Sequence, residues 1–119
     1  MKFLSINENE NIQTDILKAD YEQSHEIGKV HLGNNILFVK KRLKVYYISY
    51  SEIYRAFRRV KAVPARICCG RGEIRLEYIV LCDNKNELCE IDLPEERAAV
   101  AIIEELSKKA SYIKIGKKD

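Results

Sequence analysis

The sequence predicts a mainly β domain, in which antiparallel strands curl into a sandwich or open barrel and one amphipathic C-terminal helix caps them. Three observations lead to this prediction. Runs rich in β-branched and aromatic residues recur over residues 27–93, turn residues separate these runs, and an apolar stripe at helical spacing follows them. A chain of 119 residues is long enough for one such domain.

The N-terminal segment, residues 1–26, is expected to be a helix or an arm that packs on the domain formed by residues 27–119. Its apolar residues lie near helical spacing, at Ile12, Ile16, Leu17 and Ala19. A hairpin is predicted over residues 27–40, because Gly33-Asn34-Asn35 separates two apolar runs and these residue types tolerate positive φ.

The middle of the chain predicts two further strands on either side of a short break. The basic run Lys40-Lys41-Arg42 is expected to be a turn, and the strand "LKVYYISY" follows it. Ser51-Glu52 makes the break. The segment "IYRAFRRVKAV" then continues as a long strand that is expected to end near Pro64.

The segment "GRGEIRLEYIVLC" predicts a Gly70-Arg71-Gly72 loop and then an alternating strand. One apolar face of this strand carries Ile74, Leu76, Tyr78, Val80 and Cys82. Because Ile79 and Leu81 fill the other face, this end of the strand should be buried on both sides. After a turn over residues 83–86, the strand "ELCEIDL" returns. A two-residue turn would place Cys82 opposite Glu87 and Cys89 opposite Val80.

The last element is predicted to be a helix that begins near Pro94, which suits a first helical turn. Acidic residues follow at its start and Lys108 and Lys109 lie at its end, as the helix dipole favours. A single apolar stripe recurs at Ala99, Ile102, Ile103, Leu106 and Ala110. The predicted order is therefore about six strands and then one helix.

Charge is distributed unevenly along the chain. Residues 40–75 hold eleven Lys and Arg residues against Glu52 and Glu73, a net charge of +9, whereas residues 1–39 and residues 76–119 each carry −3. The middle segment could attract an anionic partner. The alternative is that folding mixes the three segments and partly cancels their charge.

No apolar run approaches the roughly 20 residues that a membrane span requires. The N-terminal sequence also lacks the apolar stretch of a secretory signal. We therefore expect a cytoplasmic protein whose four cysteines are reduced.

The run from Ile27 to Ile115 resembles the pleckstrin-homology-like (PH-like) domains of bacterial single-domain proteins. The segments that carry this resemblance are "LGNNILFVKK", "VYYISYSEIYRAFRRV" and "EYIVLCDNKNELCEIDLP", followed by the final helix. The resemblance implies two packed antiparallel sheets closed by a C-terminal helix, used mainly to bind proteins, peptides or lipid headgroups. Phosphoinositide binding is not expected, because the first hairpin loop, Gly33-Asn34-Asn35, lacks the basic residues that related domains use.

The cysteines do not predict a metal site, because Cys68-Cys69, Cys82 and Cys89 lack the paired spacing of structural zinc ligands. A disulfide between Cys82 and Cys89 is geometrically possible but is not favoured in a reducing cytoplasm. Cys68 and Cys69 are candidate reactive thiols if they are exposed. No catalytic constellation is evident, and we expect neither a cofactor nor a metal.

The leading hypothesis is a non-catalytic binding module for a protein, a peptide or a second copy of itself, at one sheet surface or edge. The alternative is anion binding through residues 40–75, either to nucleic acid, which we do not favour, or to an acidic membrane surface. A thiol- or metal-dependent enzyme ranks third. The candidate surface comprises Lys40, Lys41, Arg42, Lys44, Arg55, Arg58, Arg59, Lys61 and Arg71.

Overall fold

The structure, a computed structural model, describes residues 2–7, 11–67 and 70–116, except for the side chains of residues 65–67 and 71. In this part of the chain the protein is mainly β and has two helices. Its elements in chain order are β1 (Lys2–Ser5), α1 (Thr14–Glu22), β2 (His25–Ile27), β3 (Val30–Leu32), β4 (Ile36–Lys41), β5 (Lys44–Ser49), a 3-10 turn (Tyr50–Glu52), β6 (Arg55–Ile67), β7 (Gly70–Cys82), β8 (Glu87–Leu93), α2 (Glu96–Lys109) and β9 (Lys114–Ile115).

The strands form two separate sheets. Sheet 1 has the order β1-β5-β4-β3-β2, and sheet 2 has the order β8-β7-β6-β9. The predicted mainly β fold with a C-terminal helix is confirmed, but the sheets do not close into a barrel. The all-antiparallel prediction is also wrong, because β1 runs parallel to β5 and β9 runs parallel to β6.

One apolar layer joins both sheets to α2. Leu37 and Ile48 of sheet 1 meet Ile79 and Leu81 of sheet 2 in this layer. The stripe of α2 enters the same layer, so Ala99, Ile102, Leu106 and Ala110 are buried as predicted. Burial of this apolar surface is the main favourable contribution to folding. Ile103, at the margin of the stripe, is only half-buried.

A second, smaller layer covers the opposite face of sheet 1. Leu17 of α1 packs there with Ile36, Phe38 and Val45. The Tyr21 ring of α1 lies with its centroid 5.2 Å from that of Phe38, at an interplanar angle of 81°. Because α1 covers this face, β4 and β5 are buried on both sides along most of their length.

Two of the predicted strand ends are wrong. β6 does not stop near Pro64 but continues to Ile67, with Pro64 opposite Glu73. The Ala56 carbonyl accepts a hydrogen bond from the N–H of Gly116, next to β9. Backbone groups of successive residues in a strand point to alternate edges, so the N–H and C=O groups of even-numbered β6 residues point away from β7. Pro64 lies in that set, and its missing N–H therefore costs no bond to β7. Gly70-Arg71-Gly72 is the start of β7 and not a loop.

The predicted turn at Lys40-Lys41-Arg42 lies slightly later in the chain. Lys40 and Lys41 complete β4, and the turn consists of Arg42 and Leu43 between the strands. Arg42 has a φ of 55°, the left-handed region that such turns require. The predicted break at Ser51-Glu52 is confirmed as part of the 3-10 turn.

The Asp20 carboxylate attaches α1 to the β3–β4 turn. Its two oxygens accept hydrogen bonds from the backbone N–H groups of Asn34, at 2.7 Å, and Asn35, at 3.2 Å. A Cβ atom at Gly33 would collide with this carboxylate. Glycine is therefore required at position 33 by the close approach of Asp20, and not by an unusual φ.

We expect Gly33→Ala to lower the free energy of unfolding by about 1–3 kcal/mol, because the added methyl group would displace a carboxylate that holds two backbone donors. In an Asp20→Ala background, Gly33→Ala should lower the free energy of unfolding clearly less, because the carboxylate that the methyl group would meet is absent. Chemical denaturation of the four proteins measures this coupling. An equal cost of Gly33→Ala in both backgrounds would show that Asp20 does not impose the glycine.

Candidate functional site

The far halves of β6 and β7 form a two-stranded extension, here called the β6–β7 ribbon and defined as residues 61–67 with residues 70–76. The pairing of β8 with β7 ends at Glu77, and β9 pairs only with Arg55 and Ala56. Within the described residues, the ribbon strands therefore have only each other as sheet neighbours. A two-stranded ribbon in water is marginally stable without further contacts.

Aliphatic side chains are exposed on the ribbon and at its base. Ile74 is 47% exposed, Leu76 36% and Val60 43%. The sequence predicted one apolar face that carries Ile74, Leu76, Tyr78, Val80 and Cys82, but Ile74 and Leu76 on that face are exposed. Val80 and Cys82 are buried with Phe57. Burial of both faces near the end of β7 is confirmed, because Ile79 and Leu81 are also buried.

The outer face of sheet 2 carries an ion-pair network that neutralises part of the basic segment. Arg59 bonds Glu87 and also Glu90, with Nη1 2.8 Å from Oε2 of Glu90. Lys61 Nζ lies 2.7 Å from Oε1 of Glu90 and 4.6 Å from the Tyr78 ring centroid. Hydrogen bonds from Lys61 and Arg59 hold the pKa of Glu90 below its usual range. Exposed pairs of this kind contribute little to stability, because water and salt screen them.

Two other arginines of β6, Arg55 and Arg58, lie apart from this network. Arg58 points to the opposite face of the sheet and pairs with Glu77 at 2.9 Å and Glu96 at 3.3 Å. Arg55 lies at the start of β6, where its Nη1 donates to the Gly116 carbonyl at 2.8 Å. Arg58 is therefore separated from the network by strand alternation, and Arg55 by its position at the end of the strand.

The other basic group is the β4–β5 tip, defined as residues 40–44. It contains Lys40, Lys41, Arg42 and Lys44, and among the described residues none of these has a carboxylate within ion-pair distance. Lys41 lies 5.6 Å from the ring centroid of Tyr46. Leu43, at the turn itself, is 85% exposed. Leu43 was not among the residues predicted from the sequence. A leucine inside a run of cations at a predicted turn could have indicated an exposed apolar side chain.

Three candidate residues lie wholly or partly outside the described residues. Cys68 and Cys69, the candidate reactive thiols, are outside, and so is the side chain of Arg71. The backbone of Arg71 pairs with that of Arg66 in the ribbon. The reactivity of Cys68 and Cys69 therefore stays a prediction.

The two described cysteines are free and lie on opposite faces of sheet 2. Cys82 faces Glu87 as predicted, but a register shift places Cys89 opposite Leu81 and not Val80. The predicted same-face arrangement is therefore wrong. Burial raises the pKa of the Cys89 thiol to about 11, and burial followed by the charge of Glu87 raises that of Cys82. Both thiols therefore stay protonated near neutral pH, which makes them weak nucleophiles.

The two histidines contact other elements. His25 Nδ1 lies 2.8 Å from Oε2 of Glu105 on α2. His31 is buried beneath the Tyr21 ring, with the ring centroids 4.7 Å apart. Its Nε2 lies 3.4 Å from Oε2 of Glu26 and makes no hydrogen bond within the described residues. Burial lowers the pKa of His31 although Glu26 opposes this effect.

The described residues contain no group of three or more His, Cys, Asp or Glu side chains that could hold a metal ion. The described helices are also too short or too polar to cross a membrane.

These observations define a mainly β protein of two sheets and two helices, with a projecting ribbon and a basic hairpin tip. The chain belongs to the family described as "Domain of unknown function (DUF6709)", whose model matches residues 1–119. No curated protein matches the chain, and no solved structure matches it.

Proposed function

We propose that this protein is a non-catalytic, PH-like binding module of the cytoplasm, and that its β6–β7 ribbon binds another protein. The PH-like part is supported by the order of elements, in which hairpin-linked strands form two sheets and a C-terminal helix packs against both. Fold alone does not specify a ligand. The proposed binding surface rests on the ribbon.

The observation that carries the proposal is the exposure of Ile74 and Leu76, which lie on one face of the two-stranded extension. Exposed aliphatic side chains cost free energy in water, and their burial by a partner would recover it. A partner would also add contacts to a ribbon that has no third strand among the described residues. Both contributions favour a bound state.

The charge of the ribbon indicates the kind of partner. Lys61, Arg66, Arg71 and Arg75 stand against Glu73, so residues 61–76 carry a net charge of +3. Complementary charge steers association and suppresses unsuitable partners. The partner is therefore a protein with an apolar patch surrounded by acidic residues.

The test begins with a photo-activatable residue at position 63, which faces Ile74 in the ribbon, in protein expressed in its own host cell. We expect one discrete cross-linked protein, which is then purified and titrated by calorimetry. Leu76→Asp should weaken its binding at least about tenfold, because a carboxylate replaces an apolar contact and faces an acidic surface. Leu43→Asp makes the same chemical change on the other hairpin and should leave the affinity unchanged.

Equal binding of the wild-type protein and the Leu76→Asp variant would contradict the proposal. Recovery of nucleic acid at position 63, or of a second copy of this chain, would also contradict it, since neither is an acidic protein partner. Far-ultraviolet circular dichroism and denaturation of each variant exclude unfolding as the cause of lost binding.

A second candidate function is attachment to an anionic membrane surface through the β4–β5 tip. The observation that favours it is Leu43, which is 85% exposed among Lys40, Lys41, Arg42 and Lys44. An apolar side chain can enter the interface while neighbouring cations bind lipid phosphates. Each Lys or Arg near an anionic leaflet contributes about 1 kcal/mol.

Co-sedimentation with vesicles rich in phosphatidylserine tests this function. We expect binding that falls with salt, that Leu43→Asp weakens at least about tenfold and that Lys44→Gln weakens about fivefold. Leu76→Asp is the matched control and should bind as the wild-type protein does. Equal binding to neutral phosphatidylcholine vesicles, or an unchanged affinity of Leu43→Asp, would exclude this function.

A further inference from the structure

A cleft of about 380 Å³ lies on the outer face of sheet 2, away from the ribbon and the β4–β5 tip. Its walls come from the start of β6, the turn between β7 and β8, and Lys114 of β9. This volume is within the range of small-molecule sites, which is about 300–1,000 Å³. It belongs neither to the ribbon surface nor to the basic tip described above.

The floor of the cleft is apolar and partly aromatic. Phe57 and Cys82 line it, and both belong to the small buried cluster that Val80 completes. Phe57 lies opposite Val80, and Arg55 lies opposite Cys82, in the register of β6 and β7. The floor is therefore fixed by the paired strands and does not depend on a mobile loop.

Three cations line the cleft: Arg55, Lys85 and Lys114. Within the described residues, none of them has a carboxylate within ion-pair distance. The Arg55 guanidinium is held by its 2.8 Å hydrogen bond to the Gly116 carbonyl, which leaves its other N–H groups available. Lys114 Nζ lies 4.9 Å from the Tyr54 ring centroid.

The two acidic side chains that line the cleft are already engaged. Asp83 accepts hydrogen bonds from the backbone N–H groups of Lys85, at 2.8 Å, and Asn86, at 2.6 Å. These bonds, that from Asn86 foremost, hold the pKa of Asp83 below its usual range. Glu87 pairs with Arg59 outside the cleft. The cleft thus has three cations against two carboxylates, and both carboxylates already accept hydrogen bonds from protein groups.

We infer that this cleft binds a small anionic molecule that has a flat apolar part, such as an aryl phosphate or an aromatic carboxylate. Arg55 and Lys114 bind the anionic group, because a guanidinium forms strong directional bonds to such oxygens. The flat part lies against the Tyr54 ring, which lines the cleft and is 42% exposed. The Phe57 ring below is 6% exposed and lies under the Arg59 guanidinium, so it closes the floor. Lys85 adds attraction from the opposite rim of the cleft.

Phenyl phosphate, inorganic phosphate and uncharged benzyl alcohol are the three probes for an NMR titration of the whole protein. We expect saturable binding of phenyl phosphate with a dissociation constant of about 1 mM or lower. Amide shifts should concentrate at residues 54–57, 82–87 and 114. Inorganic phosphate should bind at least about fivefold more weakly, and benzyl alcohol should not bind.

Arg55→Gln should weaken phenyl phosphate binding at least about tenfold, because it removes the charge that is held in the cleft. Lys114→Gln provides a second variant if the first one fails to fold. Lys108→Gln, on the exposed end of α2, is the matched control and should change nothing. The inference would be overturned if phenyl phosphate binding did not saturate or if the amide shifts lay away from the cleft. It would also be overturned if both cleft variants bound phenyl phosphate as tightly as the wild-type protein does.

Discussion

The apolar layer shared by the two sheets and α2 is the constraint on which the other features depend. β6 and β7 each have 13 residues, whereas β8 has 7. Ile79 and Leu81 reach the layer, and β8 and α2 cover only that end of the hairpin. Among the described residues, those farther along the hairpin have no second layer to pack against. The ribbon and its exposed aliphatic side chains therefore follow from a mismatch between strand length and core length.

The same alternation that builds the core distributes the charge. Successive residues of β6 point to opposite faces, so Arg58 and Arg59 take different partners although they are adjacent in sequence. Acidic residues of β7, β8 and α2 pair with Arg58, Arg59 and Lys61 of sheet 2. Positive charge remains at the β4–β5 tip, around Arg55 and along the ribbon, and these are the places where the structure offers anions a surface.

Local patterns predicted much of this fold. The α2 stripe and the Cys82–Glu87 pairing follow from periodicity and turn chemistry, which act over a few residues. Ile74 has the same alternation as Val80, yet only Val80 is buried, because burial depends on where a neighbouring strand ends. β1 and β9 were not predicted, since each is short and pairs with a strand distant in sequence. The cleft could not be predicted either, because Lys114 is brought to it by the pairing of β9 with β6, two strands that are distant in sequence.

Amide hydrogen exchange of the free protein tests most directly whether the ribbon lies beyond the core. The hairpin offers two equivalent facing pairs, Phe57 with Val80 in the core and Val63 with Ile74 in the ribbon. Both pairs occupy the same kind of position in the ladder, so their amides make the same kind of backbone hydrogen bond. We predict that the amides of Val63 and Ile74 exchange at least about tenfold faster than those of Phe57 and Val80, through local opening that leaves the latter two protected. Equal protection of the four amides would show that the ribbon is as well supported as the core, and would contradict this prediction.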